Sequence, residues 1–139
     1  MSYSIESTKS DCYENTACLI NKLDIRDEKV LSSIEAKISL AKIAILSEHP
    51  INGNFDFDHY KAIHKFIFED LYNWASQKRT VNISKKGTDF VNAQDIDEMS
   101  DKIFSRLKNL NYFQNQDFET FVENIVDFYC TTNMLHPFR

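Results

Sequence analysis

The sequence predicts an all-α fold, and three observations carry that expectation. Its 139 residues include only two glycines and two prolines, too little punctuation for the many tight turns of a sandwich or barrel. Apolar residues recur every three or four positions over long stretches, the period of a helix face turned to a core. Hydrophobic residues make up 42% of the chain and aromatic residues 13%, enough to bury the core of one domain.

After a polar N-terminal arm over residues 1–27, Asp27 is placed to cap a first helix with Leu31, Ile34, Ile38, Ala41 and Ile45 on one face; Pro50 and Gly53 stop it. Asp56 or Asp58 opens a second, carrying Tyr60, Ile63, Ile67, Leu71 and Trp74, with Phe66 and Phe68 widening the stripe. Over residues 77–90 the pattern changes. Thr80, Val81 and Ile83 are β-branched and a Lys-Lys-Gly turn follows, so a short hairpin or flap is expected. Ile96, Met99, Ile103, Leu107 and Leu110 mark a third helix. Asp117 caps a fourth containing Phe118, Phe121, Val122, Ile125, Phe128 and Tyr129. The fourth is apolar around much of its circumference, as a central helix wrapped by neighbours must be, so further helices are expected after Arg139. The helical core is thus read as residues 28–135.

Sixteen basic against 21 acidic residues give a formal charge of -5, which argues against a broad nucleic-acid footprint. Cys12, Cys18 and Cys130 are odd in number and lack metal-type spacing; reduced thiols are expected and zinc is not. Neither a signal peptide nor a membrane span is visible, and a soluble cytoplasmic protein is the expectation.

His136 is the sharpest chemical candidate. Pro137 disfavours helical geometry in the residue before it and puts the imidazole at a helix-to-loop boundary, where it suits a base or a partner for the last helix carbonyls. His64, beside the apolar stripe, reads as a hydrogen-bonded packing histidine, and His49 and His59 as solvent-facing helix-end residues. Trp74 and Tyr72 read as packing at the base of the flap.

Three stretches together resemble the Fic family. "HPFR" at 136–139 looks like the start of the motif HPFx(D/E)GN(G/K)R. "HKFIFEDLYNWASQKRTVNISK" at 64–85 resembles a helix ending in Tyr-x-Trp-Ala-Gly, then Arg-Thr and a flap strand ending Ile-Ser-Lys. "YENTACLINKLDIRDEKVL" at 13–31 is similar to the family's N-terminal Tyr-x-x-Thr segment. They occur in family order and span nearly the whole chain.

The resemblance implies a partial Fic-like helical domain over 1–139 with a short β-hairpin flap, its C-terminal helices missing from this chain and its catalytic loop opening at 136–139. It implies transfer of AMP from ATP, with Mg²⁺, to a Ser, Thr or Tyr hydroxyl of a target protein. His136 would be the general base and Phe138 the apolar anchor of the loop. Thr80, Val81, Asn82, Ile83, Ser84 and Lys85 would offer a strand edge to the target segment. The family's acidic metal ligand, Gly-Asn-Gly phosphate nest and final arginine are not among these residues. The chain alone is therefore expected to be inactive, with no metal ligand of its own.

Two departures qualify the transfer. Ser76 stands where the family has glycine, so a left-handed turn there would be strained. "LSSIEAK" at 31–37 matches the family's inhibitory pattern (S/T)xxxE(G/N) only at Glu35, which otherwise reads as a solvated-face glutamate. Inhibition by a separate antitoxin chain or another helix is the alternative. The competing functional reading is a non-catalytic interaction module that uses the flap; nucleic acid and membrane are not expected partners.

Overall fold

The computed structural model describes residues 4–5 and 11–139; the rest of the N-terminal arm lies outside the described residues. Four helices dominate: α1 (Glu28–Glu48), α2 (Phe57–Phe68), α3 (Ile96–Asn109) and α4 (Phe118–Leu135). A small antiparallel sheet joins them, built from β1 (Ser4–Ile5), β2 (Ile83–Lys85) and β3 (Thr88–Asp89) in that spatial order.

Three of the four helices begin where a short acidic side chain satisfies otherwise unpaired N–H groups. Asp27 accepts from Lys29 and Val30, Asp56 from His59, and Asp117 from Thr120. Of the two candidates for α2, Asp56 is the cap; Asp58 instead pairs with Lys61 at 2.7 Å. α3 has no side-chain cap and leaves a 3-10 turn at Ala93–Asp95.

The second helix is shorter than its apolar stripe. It ends at Phe68, and Leu71, Tyr72 and Ala75, all buried, lie in the turns that follow. The flap is a two-residue hairpin, with Lys85 opposite Thr88 across Lys86 and Gly87. Both turn residues have positive φ, 49° and 79°, the mirror-image turn whose twist matches its strands.

The core centres on α3. Ile96, Ile103, Phe104 and Leu107 pack with Phe113 and Leu135, flanked by Phe57, Tyr60 and Phe128. Arg106 ties α3 to α4 through Asp127 at 2.7 Å and Asn124 at 3.2 Å. α4 does not have the all-round cover expected of a central helix: among the described residues Phe118 is 81% and Tyr129 71% exposed. On α1 only Leu31 of the expected stripe is buried, and Ala41 and Ile45 face outward. Among the described residues no helix is long and apolar enough to cross a membrane.

Candidate functional site

His136 closes α4. Its backbone lies in the left-handed region at φ 39° and ψ 62°, and its N–H donates to Thr132 O at 3.1 Å. Pro137 disfavours continued right-handed helix in the residue before it, and the helix ends here with His136 in the left-handed conformation found at many helix C-termini. The imidazole stacks on Phe90, just past β3, with ring centroids 4.3 Å apart. Burial lowers its pKa below the ordinary histidine value, and the positive charges of Arg79 and Lys85 lower it further. The ring is therefore neutral at pH 7.

The last carbonyls of α4 are satisfied from the flap. Val91 N–H donates to Met134 O at 3.0 Å and Arg79 N–H to Pro137 O at 2.9 Å, while the Arg79 side chain reaches Leu135 O and His136 O. Both legs of the flap are thus fastened to the helix end that carries the imidazole. The carbonyl partners of Arg79 are up to 57 residues away, and composition gave no sign of them.

Phe138 turns inward and is 6% exposed. It stacks on His64 with centroids 3.9 Å apart and lies against Tyr60 and Phe57. His64 in turn accepts a hydrogen bond at Nδ1 from the Ser76 N–H at 2.9 Å. Its pKa is lowered to about 4, first by burial and then by the neighbouring His136. Ser76 has φ 70°, the conformation for which glycine is ordinarily used.

Of the flap residues, only Ile83, Ser84 and Lys85 form strand; Thr80, Val81 and Asn82 approach it as bend and loop, with Thr80 and Asn82 exposed. Asn82 Oδ1 accepts from Ala93 N–H at 2.8 Å, closing the far leg. β2 has β3 on one edge and β1 on the other, with Ser4 opposite Ser84 and Ile5 opposite Ile83. The sequence offered no sign of that pairing.

Glu35 is not the solvated-face glutamate expected from its helix. It is half-buried and accepts a hydrogen bond from the hydroxyl of Tyr72, a side chain 1% exposed. Burial raises the Tyr72 pKa, and Glu35 raises it further, so the phenol stays protonated as the donor. His59 is likewise no idle helix-end residue: its ring bridges Ile51 O at 2.8 Å and the Phe55 N–H at 3.2 Å. A Cβ on Gly53 would come within 2.3 Å of that ring, so glycine there permits the contact.

Glu35, Tyr60, His64, Tyr72, His136 and Arg139 all face one open cavity of about 550 Å³ between α1, α2 and the end of α4. Arg139, whose side chain is 8% exposed, forms an ion pair with Asp11 at 2.7 Å. Among the described residues no group of three or more His, Cys, Asp or Glu is placed to hold a metal ion.

Comparison with known proteins matches residues 54–139 to the Fic/DOC family. The chain is 32% identical over 124 residues to "Protein adenylyltransferase VbhT" of Bartonella schoenbuchensis, a match covering 89% of this chain and 26% of that protein. It is 30% identical over 131 residues to "Probable protein adenylyltransferase y4lH" of Sinorhizobium fredii, covering 92% of this chain and 66% of the relative. Among solved structures, the N-terminal Fic domain of an effector protein (Bep) from Bartonella sp. AR 15-3 matches with a TM-score of 0.88 at 26% identity, over 94% of this chain and 65% of that one. The chain thus spans from about a quarter to two thirds of the length of these proteins.

Proposed function

Given that the chain belongs to the Fic/DOC family, we propose that it forms the front portion of a protein adenylyltransferase domain, which moves AMP from ATP to a hydroxyl side chain of a target protein. The observation that carries this reading is the placement of His136: a neutral imidazole at the end of α4, stacked on Phe90 at the root of the flap.

In the proposed reaction a Ser, Thr or Tyr of the target loses its hydroxyl proton to the imidazole as its oxygen bonds to the α-phosphorus of ATP. The bond from that phosphorus to the bridging oxygen breaks, AMP stays on the target and pyrophosphate leaves. Magnesium would supply charge neutralisation on the phosphates. The target is proposed to dock in the cytoplasm as an extended strand along residues 80–85. In support, the outer edge of β2 accepts an antiparallel partner in this chain, where β1 lies on it. Phe138 is proposed as the anchor of the loop, packed under His136 by His64, Tyr60 and Phe57.

Glu35 is engaged by Tyr72, which supports a bracing role and favours inhibition from a separate antitoxin chain or another helix. The test is incubation of the full-length protein with labelled ATP, Mg²⁺ and candidate target proteins. Label is expected on protein with wild type and not with His136→Ala. Transfer undiminished by that change would remove the reading.

A further inference from the structure

Arg79 belongs to no helix or strand, yet it is 5% exposed. Its guanidinium is bound by carbonyls from both legs of the flap and from the end of α4. Nη1 donates to Val81 O at 2.9 Å on the rising leg and Nη2 to Val91 O on the returning leg. Nη2 also reaches Leu135 O at 3.3 Å, and Nε donates to His136 O at 2.8 Å. Burying an unpaired cation costs several kcal/mol, so the surroundings must compensate it closely. Here the compensation comes from carbonyl dipoles, two of them at the negative end of α4. A planar fork with fixed donor directions can join three backbone segments in one geometry; a lysine ammonium is a point charge on a flexible stem and cannot.

We propose that Arg79 is a positioning residue, locking the flap and the His136 turn into one unit so that a strand docked on β2 presents its hydroxyl to the imidazole. This rests on the proposed role of His136 as base. The chemistry needs that alignment to within a fraction of an ångström, and nothing else described spans both flap legs and the His136 carbonyl. The charged groups acting on the imidazole are Arg79 and Lys85 from the flap side, with His64 of α2 coupled to it across the cavity. Removing the Arg79 charge therefore raises the pKa of the base as well as loosening its seat.

The experiment compares Arg79→Lys and Arg79→Gln with wild type in the full-length protein, measuring AMP transfer to a target against pH. Arg79→Lys keeps the charge without the fork. It should lower kcat by about 100-fold, the size of effect a misplacement near 1 Å produces, and leave the acid limb of the rate profile where it was. Arg79→Gln should lower kcat and also move that limb to higher pH. Ethylguanidinium added to Arg79→Ala should restore part of the rate. A Lys variant with unchanged kcat, or a Gln variant whose acid limb stays put, would overturn the proposal while leaving His136 as base. Activity surviving His136→Ala would instead defeat the reading on which it rests. Should the variants unfold, exchange of the Arg79 Nε–H in the wild-type protein decides: protection matching the α4 amides is expected, and exchange at the rate of an exposed arginine overturns the lock.

Discussion

His64 makes the stability of this domain depend on pH in a way that can be worked from its contacts. The ring accepts from the Ser76 N–H at Nδ1, so it must be neutral there; a proton on Nδ1 would set two donors against each other. Its pKa in the fold is about 4, against 6.5 for an ordinary histidine. The unfolded chain therefore binds more protons than the folded one between those values. Stability is fully present above about pH 6.5 and is lost as pH falls toward 4. A shift of this size corresponds to about 3.4 kcal/mol at most, of which ~2 kcal/mol is lost by pH 5. Residual solvent access to the half-buried ring reduces the expected loss to ~1–1.5 kcal/mol. The assay is urea unfolding at pH 7 and pH 5 for wild type and His64→Asn, whose amide oxygen can accept from Ser76 but does not titrate. Asparagine forfeits the stacking on Phe138 at both pH values, so only the difference between them is compared. Wild type should lose more stability than the variant by that amount. Equal losses would refute the assignment of a neutral, hydrogen-bonded imidazole at this position.

Ser76→Gly should stabilise the protein by ~0.5–1 kcal/mol, raising Tm by about 2–5 °C in a thermal melt, because it removes left-handed strain at φ 70° while keeping the N–H donor. Phe138→Ala should cost about 3–5 kcal/mol in denaturant unfolding, since it empties a site enclosed by His64, Tyr60 and Phe57; a loss under 1 kcal/mol would contradict its inward packing. Deleting residues 1–10 should bare the outer edge of β2. At ~1 kcal/mol per backbone hydrogen bond released, KM for a strand-docking target should fall by about 5–30-fold, and an unchanged KM would show that β1 does not compete for that edge.

Much of this architecture was legible locally. Asp27, Asp56 and Asp117 cap helices because a short acceptor meets backbone donors within three residues of itself, an interaction sequence spacing reports directly. The Lys86–Gly87 turn and the end of α4 just before Pro137 follow from backbone sterics of adjacent residues. The strain at Ser76 was foreseeable from the residue type at a position where the family has glycine. Other features depend on which segments meet, and no local rule reaches them. α2 stops at Phe68 although its apolar spacing runs on to Trp74, because tertiary burial, not helical phase, claims Leu71 and Tyr72. The exposed Ala41 and Ile45 show the converse: a helical stripe marks a face able to be buried, and only a neighbour buries it.

From its own order of residues, then, this protein specified four helices, three of them capped by an aspartate, a hairpin and an imidazole at a helix end. Those choices are made by backbone dihedrals and by hydrogen bonds closed within a few positions. Only the tertiary structure decided that Arg79 would gather carbonyls from Val81, Val91, Leu135 and His136, that Tyr72 would hold Glu35, and that β1 would lie along β2. A buried cation or phenol must find its partners wherever the folded chain brings them, and here they lie as far as 57 residues away.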